Sequence, residues 1–196
     1  MKNKNYLYGL LLYGFIAGFT SPVSAEIRQC DKEFISSDDS RIVYMGRISR
    51  SIPHIVRFTY PGVSILANFE GTSLQMKAKP GSGAFMVEVD DELPYRINFA
   101  ENDSIQTLAE GLPEGIHRVR IMYAIEGYEL KPAFKGFYLD KGCRLAEAPV
   151  LPERRIEFIG NSITCGYGVE SENPSDPFTY ETENHFIHMQ PVRQEH

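Results

Sequence analysis

The sequence predicts an all-β sandwich of the jelly-roll kind over residues 26–145, followed by the first strand and helix of a second, incomplete unit. Three observations lead there. Apolar and polar residues alternate with period 2 in many short runs. Turn residues separate those runs at close intervals. After residue 154 the pattern changes to one apolar run, a tight turn and a helix start.

The N-terminus carries an export pattern. Lys2 and Lys4 form a short positive region, Tyr6 to Phe19 is apolar and uncharged, and small residues stand at Val23 and Ala25. This is the three-part layout of a secretory signal peptide, with cleavage expected after Ala25. The apolar run is too short to span about 30 Å of hydrocarbon, and no cysteine follows it directly, so neither a membrane anchor nor a lipid anchor is expected. Cleavage removes Lys2 and Lys4 and no acidic residue, leaving 18 basic against 26 acidic residues, a formal charge of −8. An acidic exported chain has no electrostatic footprint for nucleic acid. After cleavage no membrane association is expected. Cys30, Cys143 and Cys165 remain. An exported protein can keep disulfides, and Cys30 with Cys143 brackets the sandwich, so a bridge fits if its first and last strands are neighbours.

The clearest alternations are Leu74, Met76 and Ala78; Phe85, Val87 and Val89; and Val119, Ile121 and Tyr123. Further strand-like runs are Ile42–Ile48, Ile55–Tyr60, Val63–Phe69, Tyr95–Phe99 and Phe134–Leu139. Pro61-Gly62, Glu70-Gly71, Lys79-Pro80-Gly81, Asp90-Asp91 and Leu112-Pro-Glu-Gly115 punctuate them. About 120 residues suffice for one core. Residues 146–154 read as a linker, because Pro149 and Pro152 stop helix and strand alike.

Beyond the linker, Ile156-Glu-Phe-Ile159 reads as a parallel-sheet strand and Gly160-Asn161-Ser162 as a turn, with a helix from Ile163. A serine at a helix N-terminus places its hydroxyl where negative charge is favoured, which suits acyl transfer. A purely structural reading makes Ser162 an N-cap. Cys165 reads as a small, buried apolar residue. His185 and His188 share a His-x-x-His spacing, but no further metal ligand stands out nearby. His117, at a strand start, reads as structural. Nothing in the sequence brings His54, His117, His185 or His188 within reach of Ser162 as a general base.

The serine block, Gly160-Asn-Ser-Ile-Thr-Cys-Gly-Tyr-Gly168, resembles the first block of the SGNH (GDSL-like) hydrolases. Ahead of it, in order, stand Tyr44-Met-Gly-Arg47, Tyr60-Pro-Gly62, Asn68-Phe-Glu-Gly-Thr-Ser73, Val87-Glu-Val-Asp90, Leu108-Ala-Glu-Gly-Leu112, Gly115-Ile-His117 and Phe134-Lys-Gly-Phe-Tyr-Leu-Asp140. Together, over 27–186, they resemble carbohydrate esterase family 2. That resemblance implies a jelly roll joined to a three-layer α/β/α SGNH-hydrolase domain, of which only the first strand and helix are expected here, export, and removal of acetyl groups from plant polysaccharides of the xylan and mannan type. It implies Ser162 as nucleophile, with its own N–H as one oxyanion donor; no metal and no cofactor is expected. The partner implied is an acetylated polysaccharide or oligosaccharide. Asn161 stands where the family usually has aspartate. The second and third oxyanion donors and the basic histidine belong to later blocks with no counterpart here.

Residues 155–186 therefore read as the start of the hydrolase domain, and 187–196 as an aberrant tail. A one-base shift in suitable codons after Phe186 would turn that tail into an amphipathic, tyrosine- and alanine-rich run, so a frameshift is one expectation. One strand and one helix cannot bury a core, so the segment after about 155 is expected to be partly disordered or loosely packed, and the chain inactive. Two other functions stay open. One is a sugar-binding sandwich using Tyr44, Tyr60, Phe85, Tyr95, Tyr123 or Tyr128, most of which read as core. The other is a non-functional gene remnant. The oligomeric state stays open as well.

Overall fold

The computed structural model describes residues 31–154 and 156–189. The expected signal peptide and cleavage site, Cys30 and residues 190–196 of the expected aberrant tail lie outside the described residues.

Eleven strands are described: β1 Lys32–Ser36, β2 Val43–Met45, β3 Ser49–Ile52, β4 Ile55–Arg57, β5 Ser64–Glu70, β6 Leu74–Ala78, β7 Gly83–Val89, β8 Tyr95–Phe99, β9 Ile105–Ala109, β10 Ile116–Tyr123 and β11 Ala133–Asp140. One short helix, α1 His185–Met189, follows. The first sheet runs β3-β4-β11-β6-β9, with β1 also on β11, and the second runs β2-β5-β10-β7-β8. Every pairing is antiparallel. The expected all-β sandwich is therefore present.

The alternation places the core. Leu74, Met76 and Ala78 of β6 join Ile65, Ala67 and Phe69 of β5 and Val119, Ile121 and Tyr123 of β10 in one interior, all buried. Phe85 packs edge-on against Phe58, Phe99 and Tyr123, with ring centroids 6.1, 5.7 and 5.1 Å apart. Such pairs add about 1 kcal/mol each beyond the area they bury.

Three strands fall outside the expected runs: β1, β3 and β9. All lie at the margins of the first sheet; β1 and β3 bury no side chain and β9 buries only Leu108, so the pattern weakens there. The run expected over Ile42–Ile48 pairs only at Val43–Met45, because the backbone turns left-handed at Gly46 (φ 94°). The first and last strands are neighbours, with Lys32 opposite Asp140. Lys32 Nζ donates to Asp140 at 2.7 Å, and the Ser73 hydroxyl joins the same cluster by accepting from Lys32 and donating to Asp140. Among the described residues Cys143 and Cys165 carry free thiols.

Expectations beyond the linker are corrected. Ile156–Ile159 forms no strand and joins no sheet among the described residues; Ile156 and Ile159 are 78% and 92% exposed. A parallel strand needs flanking strands, and none is described beside it. The expected helix from Ile163 is reduced to one hydrogen-bonded turn. The far end of the segment is not loosely packed either, since Glu183 and Asn184 are fully buried against the second sheet.

His117 fills a structural place, as expected. Its Nδ1 meets Asp90 at 2.5 Å and its Nε2 meets the Pro113 carbonyl at 2.8 Å. Both partners are acceptors, so both nitrogens carry protons and the ring is an imidazolium. Burial alone would lower its pKa, but the Asp90 and Pro113 bonds outweigh that and raise it. Burial would raise the Asp90 carboxyl, but the Arg118 N–H and His117 hold it below its usual range.

His117 contributes stability that is fully present below its ordinary pKa of 6.5 and is lost as pH rises through the raised folded-state value. Urea midpoints measured from acid to mildly alkaline pH should fall through that window, and His117→Gln should flatten the fall. Gly136 sits at the β6–β11 bulge with φ 144°, and a Cβ there would run into the Ile35 carbonyl oxygen. Gly136→Ala should cost about 2–4 kcal/mol in denaturant unfolding; an unchanged midpoint would contradict the β1–β11 register.

Candidate active site

Ser162 lies on a single helical turn built by its neighbours. The Asn161 side-chain oxygen accepts from the Ile163 N–H at 3.1 Å, so Asn161 and not Ser162 is the cap. Cys165 N–H donates to the Asn161 carbonyl at 3.2 Å and closes the turn. Gly166 N–H then donates to Ile163, and Tyr167 N–H to Ser162, both at 3.0 Å. With Gly166 at φ 78°, these two bonds form a Schellman closure that ends the turn at once. The Ser162 side chain is exposed, and no described residue hydrogen-bonds to its hydroxyl.

The turn rests on the sandwich through His185. Its backbone N–H donates to Ala124 at 2.8 Å. Its Nδ1 meets the Thr164 carbonyl at 2.8 Å, and a carbonyl only accepts, so Nδ1 carries the proton. Burial lowers its pKa. Its Nε2 packs on Gly62, where an added Cβ would come within 2.8 Å. His185 thus supports the serine turn from below through Thr164. His188, which shares the His-x-x-His spacing with it, is exposed, and no cluster of three metal-ligating groups occurs among the described residues. His54 bonds Ser36 and Asp38, far along the chain from Ser162.

Further contacts hold the segment. The Arg96 guanidinium donates to Glu170 at 2.5 Å and to the carbonyls of Glu183 and Tyr180 at 2.9 and 2.8 Å. Asn184 donates its N–H to the Gly166 carbonyl at 3.1 Å, and its side chain caps α1 by accepting from Phe186 N–H at 3.1 Å. Cys165 is half-buried, and its thiol donates to Glu126 at 3.4 Å. Burial, with that carboxylate beside it, pushes the thiol up to about 12, so it is no thiolate nucleophile.

Arg96, Glu183 and Asn184 were not marked by the sequence. A signal existed nearby. Met86 and Met122 sit opposite each other at outward positions of β7 and β10, yet both are buried. Paired apolar side chains on a strand's solvent side mark a face that something else covers. Here Phe186 lies beside them. Of the aromatic residues offered for sugar stacking, Phe85 and Tyr123 are core, Tyr44 is half-buried, and Tyr60, Tyr95 and Tyr128 are exposed.

Glu183 is the electrostatic weak point of this interface. One carboxyl oxygen accepts from Glu126 N–H at 2.8 Å, while the other has no partner among the described residues. Burial pushes its pKa up to about 7 from an ordinary 4.5, and the Glu126 charge adds to this. Between those values the unfolded chain releases a proton that the folded chain keeps, so stability falls as pH rises from about 4.5 to about 7. Glu183→Gln should remove that slope while keeping the Glu126 bond. Thermal unfolding of both forms on either side of that window checks it.

The residues at 44–149 match the family model described as Carbohydrate esterase 2 N-terminal. Cellulase/esterase CelE of Acetivibrio thermocellus is 33% identical over 159 residues, covering 80% of this chain and 19% of that protein. An acetylxylan esterase / glucomannan deacetylase of Cellvibrio japonicus is 32% identical over 157 residues, covering 80% of this chain and 42% of its own length. Among solved structures, a family two carbohydrate esterase from Clostridium thermocellum in complex with cellohexaose superposes with a TM-score of 0.66 at 34% identity, covering 74% of this chain and 45% of that one. A family two carbohydrate esterase from Cellvibrio japonicus gives a TM-score of 0.69 at 25% identity, covering 79% and 46%. The chain thus spans less than half the length of each of these relatives. The matched family model, the identity to these esterases and the superposed sandwich together place the chain in the carbohydrate esterase 2 family, to which it belongs.

Proposed function

We propose that this chain carries the sandwich and the nucleophile segment of an exported, serine-dependent carbohydrate acetyl esterase of the SGNH type. The observation that carries this reading is the exposed Ser162 hydroxyl on a capped, glycine-terminated turn seated firmly on the sandwich. The substrate class is an acetylated polysaccharide of the xylan or mannan type, by analogy with relatives whose names describe acetylxylan and glucomannan deacetylation. Export rests on the N-terminal pattern ending near Ala25.

In the chemistry proposed, the Ser162 oxygen attacks the acetyl carbonyl and loses its proton to a general base. The sugar hydroxyl leaves with a proton, and water then frees acetate from the acyl-enzyme. The Ser162 N–H makes no backbone hydrogen bond among the described residues and is free to meet the oxyanion. No described histidine hydrogen-bonds to the Ser162 hydroxyl, and the Nδ1 of His185 is committed to Thr164. We therefore read the 196-residue chain by itself as a very weak catalyst.

Two measurements check this. Acetate release from acetylated xylan by the mass-verified chain should stay at the buffer rate, and Ser162-dependent turnover would refute the weak-catalyst reading. A chimera joining residues 26–186 to the remainder of the Cellvibrio japonicus relative should deacetylate the same substrate. Ser162→Ala in that chimera should cost about a thousandfold or more in kcat; full activity without the hydroxyl would remove Ser162 as nucleophile.

A further inference from the structure

The geometry points to a second carbohydrate site on the sandwich, a cleft at the end of the first sheet that takes a sugar acid through its uronate carboxylate. It rests on the carbohydrate reading above for the class of ligand, and on the cleft alone for the charge.

The strand ends build the cleft. β4 stops at Arg57, which lies opposite Ala133 at the start of β11 and opposite Ser49 of β3. Lys79, just past β6, donates its backbone N–H to the Ala133 carbonyl at 2.8 Å. Three strand ends therefore converge and leave a cleft of about 770 Å³, within the usual range for small-ligand sites.

Its charge runs against that of the chain. The sequence has 26 acidic and 20 basic residues, yet Arg47, Arg57, Lys79 and Lys131 all line the cleft and no acidic residue does so among the described residues. Lys79 is held in place by the carbonyls of Leu130 and Lys131, at 2.5 and 3.3 Å. Arg57 and Lys131 pair with no carboxylate among the described residues. Arg47 has only a 3.5 Å contact to Glu157, with both side chains mostly exposed, which a ligand can displace. An arginine fork without a partner is matched to a carboxylate.

Two further features fit a sugar ring beside that carboxylate. Tyr60 is 57% exposed at the rim, with the Arg47 guanidinium 5.8 Å from its ring centre, so an aromatic face stands next to a cation. Pyranose rings offer an apolar C–H face for such a surface. Lys131, at its edge, has φ 49°, a left-handed conformation uncommon for a lysine. None of the lining residues belongs to the turn that carries Ser162.

The test is titration calorimetry of the full chain with a xylotriose carrying one glucuronic acid, against neutral xylotetraose and free glucuronate. The acidic oligosaccharide should bind about tenfold or more tighter than the neutral one, and less tightly as salt is raised. Arg57→Ala and Lys131→Ala should each weaken it by about tenfold. Both side chains are exposed, and an unchanged thermal midpoint confirms that each variant folds. Tyr60→Ala should weaken the oligosaccharide more than free glucuronate. Equal binding of neutral and acidic sugars, no binding of the acidic one, or indifference to Arg57→Ala would overturn the site. Each of those results leaves the esterase reading intact, because that reading is decided by Ser162-dependent acetate release.

Discussion

The guanidinium of Arg96 leaves the edge strand β8 and donates to the Glu170 carboxylate and to the carbonyls of Tyr180 and Glu183. A segment without strands and with one five-residue helix has backbone carbonyls that no regular element satisfies. One planar donor with several N–H groups satisfies two of them and neutralises a nearby acid. Residues 170, 180 and 183 are thereby fixed to one strand, and the loop between them is anchored at both ends. The serine turn inherits its position from this anchor through Asn184, which bonds to Gly166.

Apolar and polar contacts divide the work at that interface. Met86 and Met122 supply a dry patch on the outer side of the second sheet. Glu183, Asn184 and His185 set direction, because each has a partner in only one geometry. The cost appears at Glu183, whose second carboxyl oxygen is buried without a partner among the described residues. Burying a polar group this way is unfavourable, and keeping the proton lowers that cost. His117 shows the opposite solution, a buried imidazolium with both N–H groups paired. One group favours acid conditions by staying neutral and the other by staying charged.

The sandwich was legible because its central strands face the core on one side and water on the other. Leu74 to Ala78 and Val119 to Tyr123 alternate for that reason, and the structure buries the residues so marked. The margins were not legible. Lys32–Ser36 and Ser49–Ile52 have no buried side chain to impose a period, so only pairing with a neighbour makes them strands. Ile156–Ile159 failed in the opposite way. Its apolar run has the composition of a parallel strand, yet a strand exists only where neighbours bond to it.

Order along the chain was enough to specify the two-sheet sandwich, the glycine-bearing serine block, the net charge and the family resemblance. Each is written locally, in alternation, glycine position, residue count and motif spacing. Folding settled the rest: that Asn161 caps the serine turn, that His185 supports it through Thr164, and that Arg96 reaches Tyr180, 84 residues further along. Folding also gathered four cations around the cleft where three strand ends meet. Local propensity depends on neighbours in the chain, whereas a buried carboxyl or an unpaired guanidinium is defined by what the fold brings against it.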